Sequence, residues 1–185
     1  MPINNLNRFI NLLIKHSYHH EDEIQNIAST CCHSTVRVID FDRIKDSFFV
    51  VLGIPKKLKS VDCIKVSAAN DTLYFIEMKS YTPGGTLTLN NWFVDRLECI
   101  PKKIIDSMFI ILSFIGYYSS SKCLYKYFLN IDKLKTESIF LTDLTSTQLL
   151  SLTLAHQDKL GISLTKRIAP PIIPMNTSAF ITKFP

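Results

Sequence analysis

The chain has 185 residues, of which 46% are hydrophobic and 11% aromatic. That supports one domain with its own core and excludes a disordered chain, while five Gly and eight Pro exclude collagen-like repetition. The net charge of +5, from 21 basic and 16 acidic residues, permits nucleic-acid binding without demanding it.

Ile3, Leu6, Phe9, Ile10 and Leu13 recur at helical spacing and predict a helix over 3–15. The same stretch lacks a basic n-region and a small-residue cleavage site, so it does not read as a signal peptide. A second helix is expected over 20–31, with Ile24, Ile27 and Ala28 inward and Glu21-Asp22-Glu23 at the positive end of its dipole. Segments 35–41 and 48–53, rich in β-branched and aromatic residues, read as strands. Segments 61–67 and 72–80 read as a hairpin about Ala68-Ala69-Asn70-Asp71. A loop follows over 81–91, with turn chemistry at Pro83-Gly84-Gly85.

A long helix is expected over about 93–118, with Pro101 as a kink or as its true beginning. Its apolar run, 108–118, is too short to span a bilayer. It reads as a core helix of a soluble protein, with Phe109, Phe114, Tyr117 and Tyr118 inside. Segments 126–131 and 138–144 read as further strands, and 145–161 as a helix capped by Thr145 or Ser146 and ended by Gly161. Residues 169–185, with four Pro and no periodicity, read as an extended tail on a domain of residues 1–168. The element order predicts an α/β sandwich with one central sheet.

The five Cys show no disulfide spacing and read as reduced, mostly buried thiols of a cytoplasmic protein. The adjacent pair Cys31-Cys32, with His16, His19, His20 and His33 nearby in sequence, does not match the ligand spacing of structural zinc. No nucleophile elbow, phosphate-binding loop or dinucleotide fingerprint occurs. Asp143 with His156 lacks a nucleophile to activate.

The chemistry concentrates at 74–80. Side chains alternate along a strand, so Phe75, Glu77 and Lys79 share one face, while Tyr74, Ile76 and Met78 take the other, which must be core. A two-residue turn centred on Ala69-Asn70 sets Asp62 opposite Glu77, and one centred on Asn70-Asp71 sets it opposite Lys79. A three-residue loop would turn Asp62 to the other side. Opposed carboxylates have Cβ atoms about 5 Å apart and repel each other. A divalent cation such as Mg²⁺ compensates best, accepting carboxylate oxygens while keeping waters and substrate phosphates. The plain alternative is an edge hairpin with solvated charges. The apolar flanks argue instead for a central strand covered on both sides, where charges are costly without a purpose.

Asp62, followed after a hairpin by Glu77-Met78-Lys79 and then a long helix, resembles the PD-(D/E)xK nuclease superfamily, with its restriction-endonuclease-like fold. The resemblance covers about residues 20–130: a helix, a strand with Asp, a strand with Glu-x-Lys, a helix and a further strand. It implies that Asp62 and Glu77 ligate Mg²⁺ or Mn²⁺, that the Met78 carbonyl reaches the same ion, and that Lys79 positions or activates the attacking water. Val61 stands where many members have Pro. An acidic residue of the second helix would complete the site, and Glu23 is the choice among Glu21, Asp22 and Glu23. Arg96, Lys102 and Lys103 on the following helix are candidates for DNA backbone phosphates, Trp92 for stacking on a base, and the 81–91 loop for contacting substrate or closing over the site.

The implied function is a Mg²⁺-dependent endonuclease, DNA being the expected substrate. It would be targeted by homodimerisation or a partner subunit, without a membrane. The composition, rich in Ile, Lys, Asn and Ser, looks bacterial, and members of this kind often serve in restriction or phage defence. The alternative is a catalytically inactive subunit of the same fold that binds a protein through its tail and apolar surface.

Overall fold

The computed structural model describes residues 5–27, 33–53, 58–67, 70–130, 133–160 and 170–185. Six strands form one sheet in chain order: β1 (Glu21–Glu23), β2 (Arg37–Asp40), β3 (Cys63–Ser67), β4 (Thr72–Lys79), β5 (Lys135–Thr142) and β6 (Ile172–Asn176). The first four pair antiparallel; β5 lies parallel to β4, and β6 parallel to β5. A parallel partner needs a long crossover. Here it is built from α4 (Leu89–Tyr118) and α5 (Lys122–Leu129). The architecture is α/β, a mixed sheet flanked by helices.

Alternation along the strands divides the core in two. Leu73 and Phe75 of β4 face a large cluster with Phe9 and Leu13 of α1 (Asn5–Lys15), Phe41 and Phe48 of α3 (Phe41–Leu52), and Phe93, Ile104 and Phe114 of α4. Tyr74, Ile76 and Met78 face a smaller cluster with Ile24, Val38, Ile139, Leu141 and Phe180. Every residue from Thr72 to Met78 is buried, so β4 is a central strand covered on both sides.

Several segments depart from their sequence patterns. Segment 48–53 belongs to α3: Phe41, Ile44 and Phe48 meet the core at helical spacing, Asp40 caps the start, and Gly53 closes the end at φ 64°. A left-handed residue is needed there, and glycine adopts that conformation without steric cost. Segment 126–131 likewise loses its strand reading, since Leu124, Tyr127 and Phe128 are the buried side of α5, capped by Ser121. In both segments a buried helical stripe outweighs β propensity. The acidic run 21–23 is an edge strand on β2 rather than a helix start, and only α2 (Ile24–Ile27) follows it.

α4 runs through Pro101 without beginning there. The capped helix over 145–161 is observed as α6 (Ser146–Ala155), with a Thr145/Gln148 capping box, followed by α7 (Gln157–Leu160). The expected tail is structured: β6 pairs with β5, and α8 (Thr177–Lys183) buries Phe180 completely. Cys63 is buried, but Cys99 and Cys123 are exposed. Phe109 and Tyr117, expected inside, are 60% and 58% exposed. Ile3, Ala28, Cys31, Cys32 and Gly161 lie outside the described residues. Among the described residues no helix is long and apolar enough to cross a membrane.

Candidate functional site

The β3–β4 register settles the position of Asp62. Ser67 pairs with Thr72 and Cys63 with Ile76, so the next step outward sets Asp62 opposite Glu77, the register of a turn centred on Ala69-Asn70. Asp62 itself lies one residue before β3 and is fixed from both sides. Its carbonyl accepts the Phe41 N–H at 3.0 Å, which ties it to the start of α3. Around it, α4 holds the approach to the strand: Asp106 accepts the Lys59 N–H at 3.2 Å, and Ser107 Oγ the Val61 N–H at 3.0 Å.

Four charged side chains meet at this end of the sheet. Asp62 Oδ2 accepts the Met78 N–H at 2.7 Å and Lys79 Nζ at 3.2 Å. Lys79 Nζ also lies 2.9 Å from Glu77 Oε1 and donates to the Met78 carbonyl at 2.8 Å. The fourth member, Lys103, comes from α4: its Nζ is 2.5 Å from Glu77 Oε1 and 3.9 Å from Asp62 Oδ1. Glu77 is 3% exposed, and its second oxygen, Oε2, is buried with no hydrogen-bond partner among the described residues. The Asp62 and Lys79 side chains are 17% and 32% exposed, so the cluster reaches solvent at their side.

Burial raises the Glu77 pKa above the ordinary carboxyl value, and the nearby Asp62 charge raises it further; Lys103 and Lys79 oppose the rise without cancelling it. For Lys79, burial pulls the pKa down, but the attraction of Asp62 and Glu77 outweighs burial and leaves it above the ordinary lysine value. The two neighbours on one strand are thus pushed the same way by different causes.

The other sequence candidates fall elsewhere. Glu23 is on edge strand β1, opposite Arg37, and accepts from Gln25 at 2.7 Å. Arg37 begins β2, whereas Asp40, the β2 residue beside β3's start, pairs with Cys63. Glu23 is therefore two strands away, toward the far end of the sheet, and does not complete the carboxylate pair. Trp92 is buried, its ring 5.4 Å from Tyr81 and 5.9 Å from Phe140, so its faces serve packing rather than a base. Lys102 is solvent-exposed. Arg96 pairs with its neighbour Asp95 at 3.4 Å and keeps a buried Nε without a hydrogen-bond partner among the described residues.

Of the loop, Tyr81 is fastened by its N–H to Asp143 Oδ1 at 2.9 Å, and residues 82–88 are exposed. His156 Nε2 sits 2.7 Å from Asn90 Oδ1, and His16 stacks on Tyr118 at 4.1 Å; neither joins the four charges.

Lys103 is the site member that sequence reasoning misassigned, grouping it with Lys102 as a phosphate contact. The signal was present: Ile100, Lys103, Ile104 and Ser107 share one helix face, the face that α4 buries.

Among the described residues no group of three or more His, Cys, Asp or Glu side chains gathers where an ion could sit. A metal at Asp62 and Glu77 would therefore complete its shell with the Met78 carbonyl and water. That all-oxygen set suits Mg²⁺ or Mn²⁺ and not zinc. The unpartnered Glu77 Oε2 is the atom such an ion would satisfy. No protein-family model, curated protein or solved structure matches this chain.

Proposed function

We propose that the chain is a divalent-metal-dependent nuclease that hydrolyses phosphodiester bonds, with DNA as the expected substrate. The observation that carries this reading is the convergence of Asp62, Glu77 and Lys79 on one partly open point, with a buried carboxylate oxygen left unsatisfied. Such an arrangement is costly for a fold to maintain as structure alone. The order of elements adds support: Asp62 immediately before β3, Glu77-Met78-Lys79 on the antiparallel β4, then α4, then a parallel β5, the order that the PD-(D/E)xK resemblance implies.

Asp62 and Glu77 are the side chains that would hold Mg²⁺ or Mn²⁺, with the Met78 carbonyl as a third oxygen. When bound, such an ion supplies charge neutralisation at the scissile phosphate and acidifies water. Lys79 holds a proton beside both carboxylates. Its ammonium is the group that orients the attacking water or offsets charge growing on the phosphate. The carboxylates, spaced by the β3–β4 register, fix where that chemistry occurs.

The test is cleavage of supercoiled plasmid and of single-stranded DNA and RNA with Mg²⁺, Mn²⁺ or EDTA, with Glu77→Ala and Lys79→Ala alongside. Metal-dependent cleavage lost in both variants, each still unfolding in one cooperative transition, is the expected result. A second reading, a non-catalytic subunit, is favoured by one observation: both ammonium groups are already paired within the cluster, as in a structural ion network. Absence of cleavage of every substrate, together with no binding of Mn²⁺, would favour it.

A further inference from the structure

We propose that Lys103 is an internal cation that occupies the carboxylate site when no divalent ion is bound and gives up that place to the ion. The inference rests on the nuclease reading above and concerns a residue that the Asp and Glu-x-Lys pattern does not include.

Lys103 and Lys79 reach the same carboxylates from different elements and are held differently. Lys79 has three acceptors: Asp62 Oδ2 at 3.2 Å, Glu77 Oε1 at 2.9 Å and the neutral Met78 carbonyl at 2.8 Å. Among the described residues Lys103 has carboxylate partners alone, Glu77 Oε1 at 2.5 Å and Asp62 Oδ1 at 3.9 Å. Its side chain is 16% exposed. It extends on a flexible four-carbon stem from α4, whose own position is fixed one turn later by the Ser107–Val61 hydrogen bond.

Charge decides which amine yields. Two carboxylates and two ammonium groups sum to zero, so the cluster is neutral without an ion. Adding a divalent cation while keeping both amines leaves two excess positive charges in a partly buried place. Releasing Lys103 leaves one, which the negative charge of a phosphodiester cancels. Lys103 has no neutral anchor to lose, whereas Lys79 would forfeit the Met78 carbonyl. Glu77 supplies the landing point, because Oε1 already accepts from both amines while Oε2 has no partner.

The experiment is direct Mn²⁺ binding, by titration calorimetry or by the EPR signal of the free ion, to the wild-type chain, Lys103→Met and Lys103→Gln without nucleic acid. Lys103→Arg serves as a control that keeps the charge. Removing the competing cation is expected to tighten Mn²⁺ binding by about tenfold in both neutral variants, and the arginine variant should stay at or below wild-type affinity. The neutral variants should also melt lower than wild type in EDTA and regain that loss with Mn²⁺. A neutral variant that folds only with Mn²⁺ is the extreme form of the same result. Wild type that binds Mn²⁺ while the neutral variants bind it no more tightly would overturn the role of Lys103 and leave the nuclease reading standing. Wild type and variants that all fail to bind Mn²⁺ would defeat the nuclease reading, and the inference with it.

Discussion

Replacing Asp62 tests how one carboxylate serves both fold and site. Its Oδ2 accepts the Met78 N–H at 2.7 Å, and Met78 is buried. Asp62→Ala leaves that donor without a partner, at a cost of about 1–3 kcal/mol. It also removes one of the three acceptors of Lys79, whose ammonium keeps Glu77 and the Met78 carbonyl; that loss adds about 1 kcal/mol or less, as for a partly exposed pair. The alanine variant should therefore lose roughly 1–4 kcal/mol. Asp62→Asn keeps a side-chain oxygen for the Met78 N–H and loses charge alone, so its loss should stay below about 1 kcal/mol. At about 2–4 °C per kcal/mol for a chain of this size, the two variants separate clearly in a melting experiment or urea titration. Both should abolish metal-dependent cleavage, since neither presents an anion. Equal stability of the alanine and asparagine variants would refute the argument that Asp62 fastens the end of β4. Full cleavage by the asparagine variant would remove Asp62 from the proposed chemistry.

Glu77→Gln should behave in the opposite sense. The pKa of Glu77 is raised in the fold by burial and by Asp62, so the stability linked to its protonation is fully present below the ordinary carboxyl value and is lost as pH rises through the higher folded value. In EDTA the glutamine variant should match wild type at about pH 4 and exceed it increasingly toward neutral pH, read from urea midpoints; a pH-independent difference would contradict the assignment. Phe180→Ala removes a fully buried ring of α8 that packs 4.9 Å from Phe184 in the cluster beneath β4. It should cost about 3–5 kcal/mol, whereas Ile181→Ala, at a 43% exposed position, should cost under about 1 kcal/mol. Equal, small losses would mean that the C-terminal segment is not part of the folded core.

Which residues share a face of β4 was legible in sequence because strand alternation is a local rule and the apolar flanks of 74–80 mark a strand buried on both sides, whereas the choice among the three turn registers came only with the β3–β4 pairing that sets Asp62 against Glu77. The start of the helix at Thr145 or Ser146 was legible for the same reason, and the structure selects Thr145, paired with Gln148 in a capping box. Other features were decided by contacts between distant segments. Residues 48–53 and 126–131 have strand-like composition, yet Phe48 and Phe128 are held in helices by packing around Phe114 and Phe9. The Pro-rich C-terminal segment lacks periodicity, yet it finds an open edge on β5 and a pocket for Phe180 that no local pattern announces. Lys103 joins the carboxylates because α4 crosses over β4 at that turn, and its partners stand 26 and 41 positions earlier in the chain. Local chemistry fixed which groups could act together on one strand. Long-range packing decided which distant groups met them, since the free energy of burial depends on what lies across the interface and not on the residues alongside.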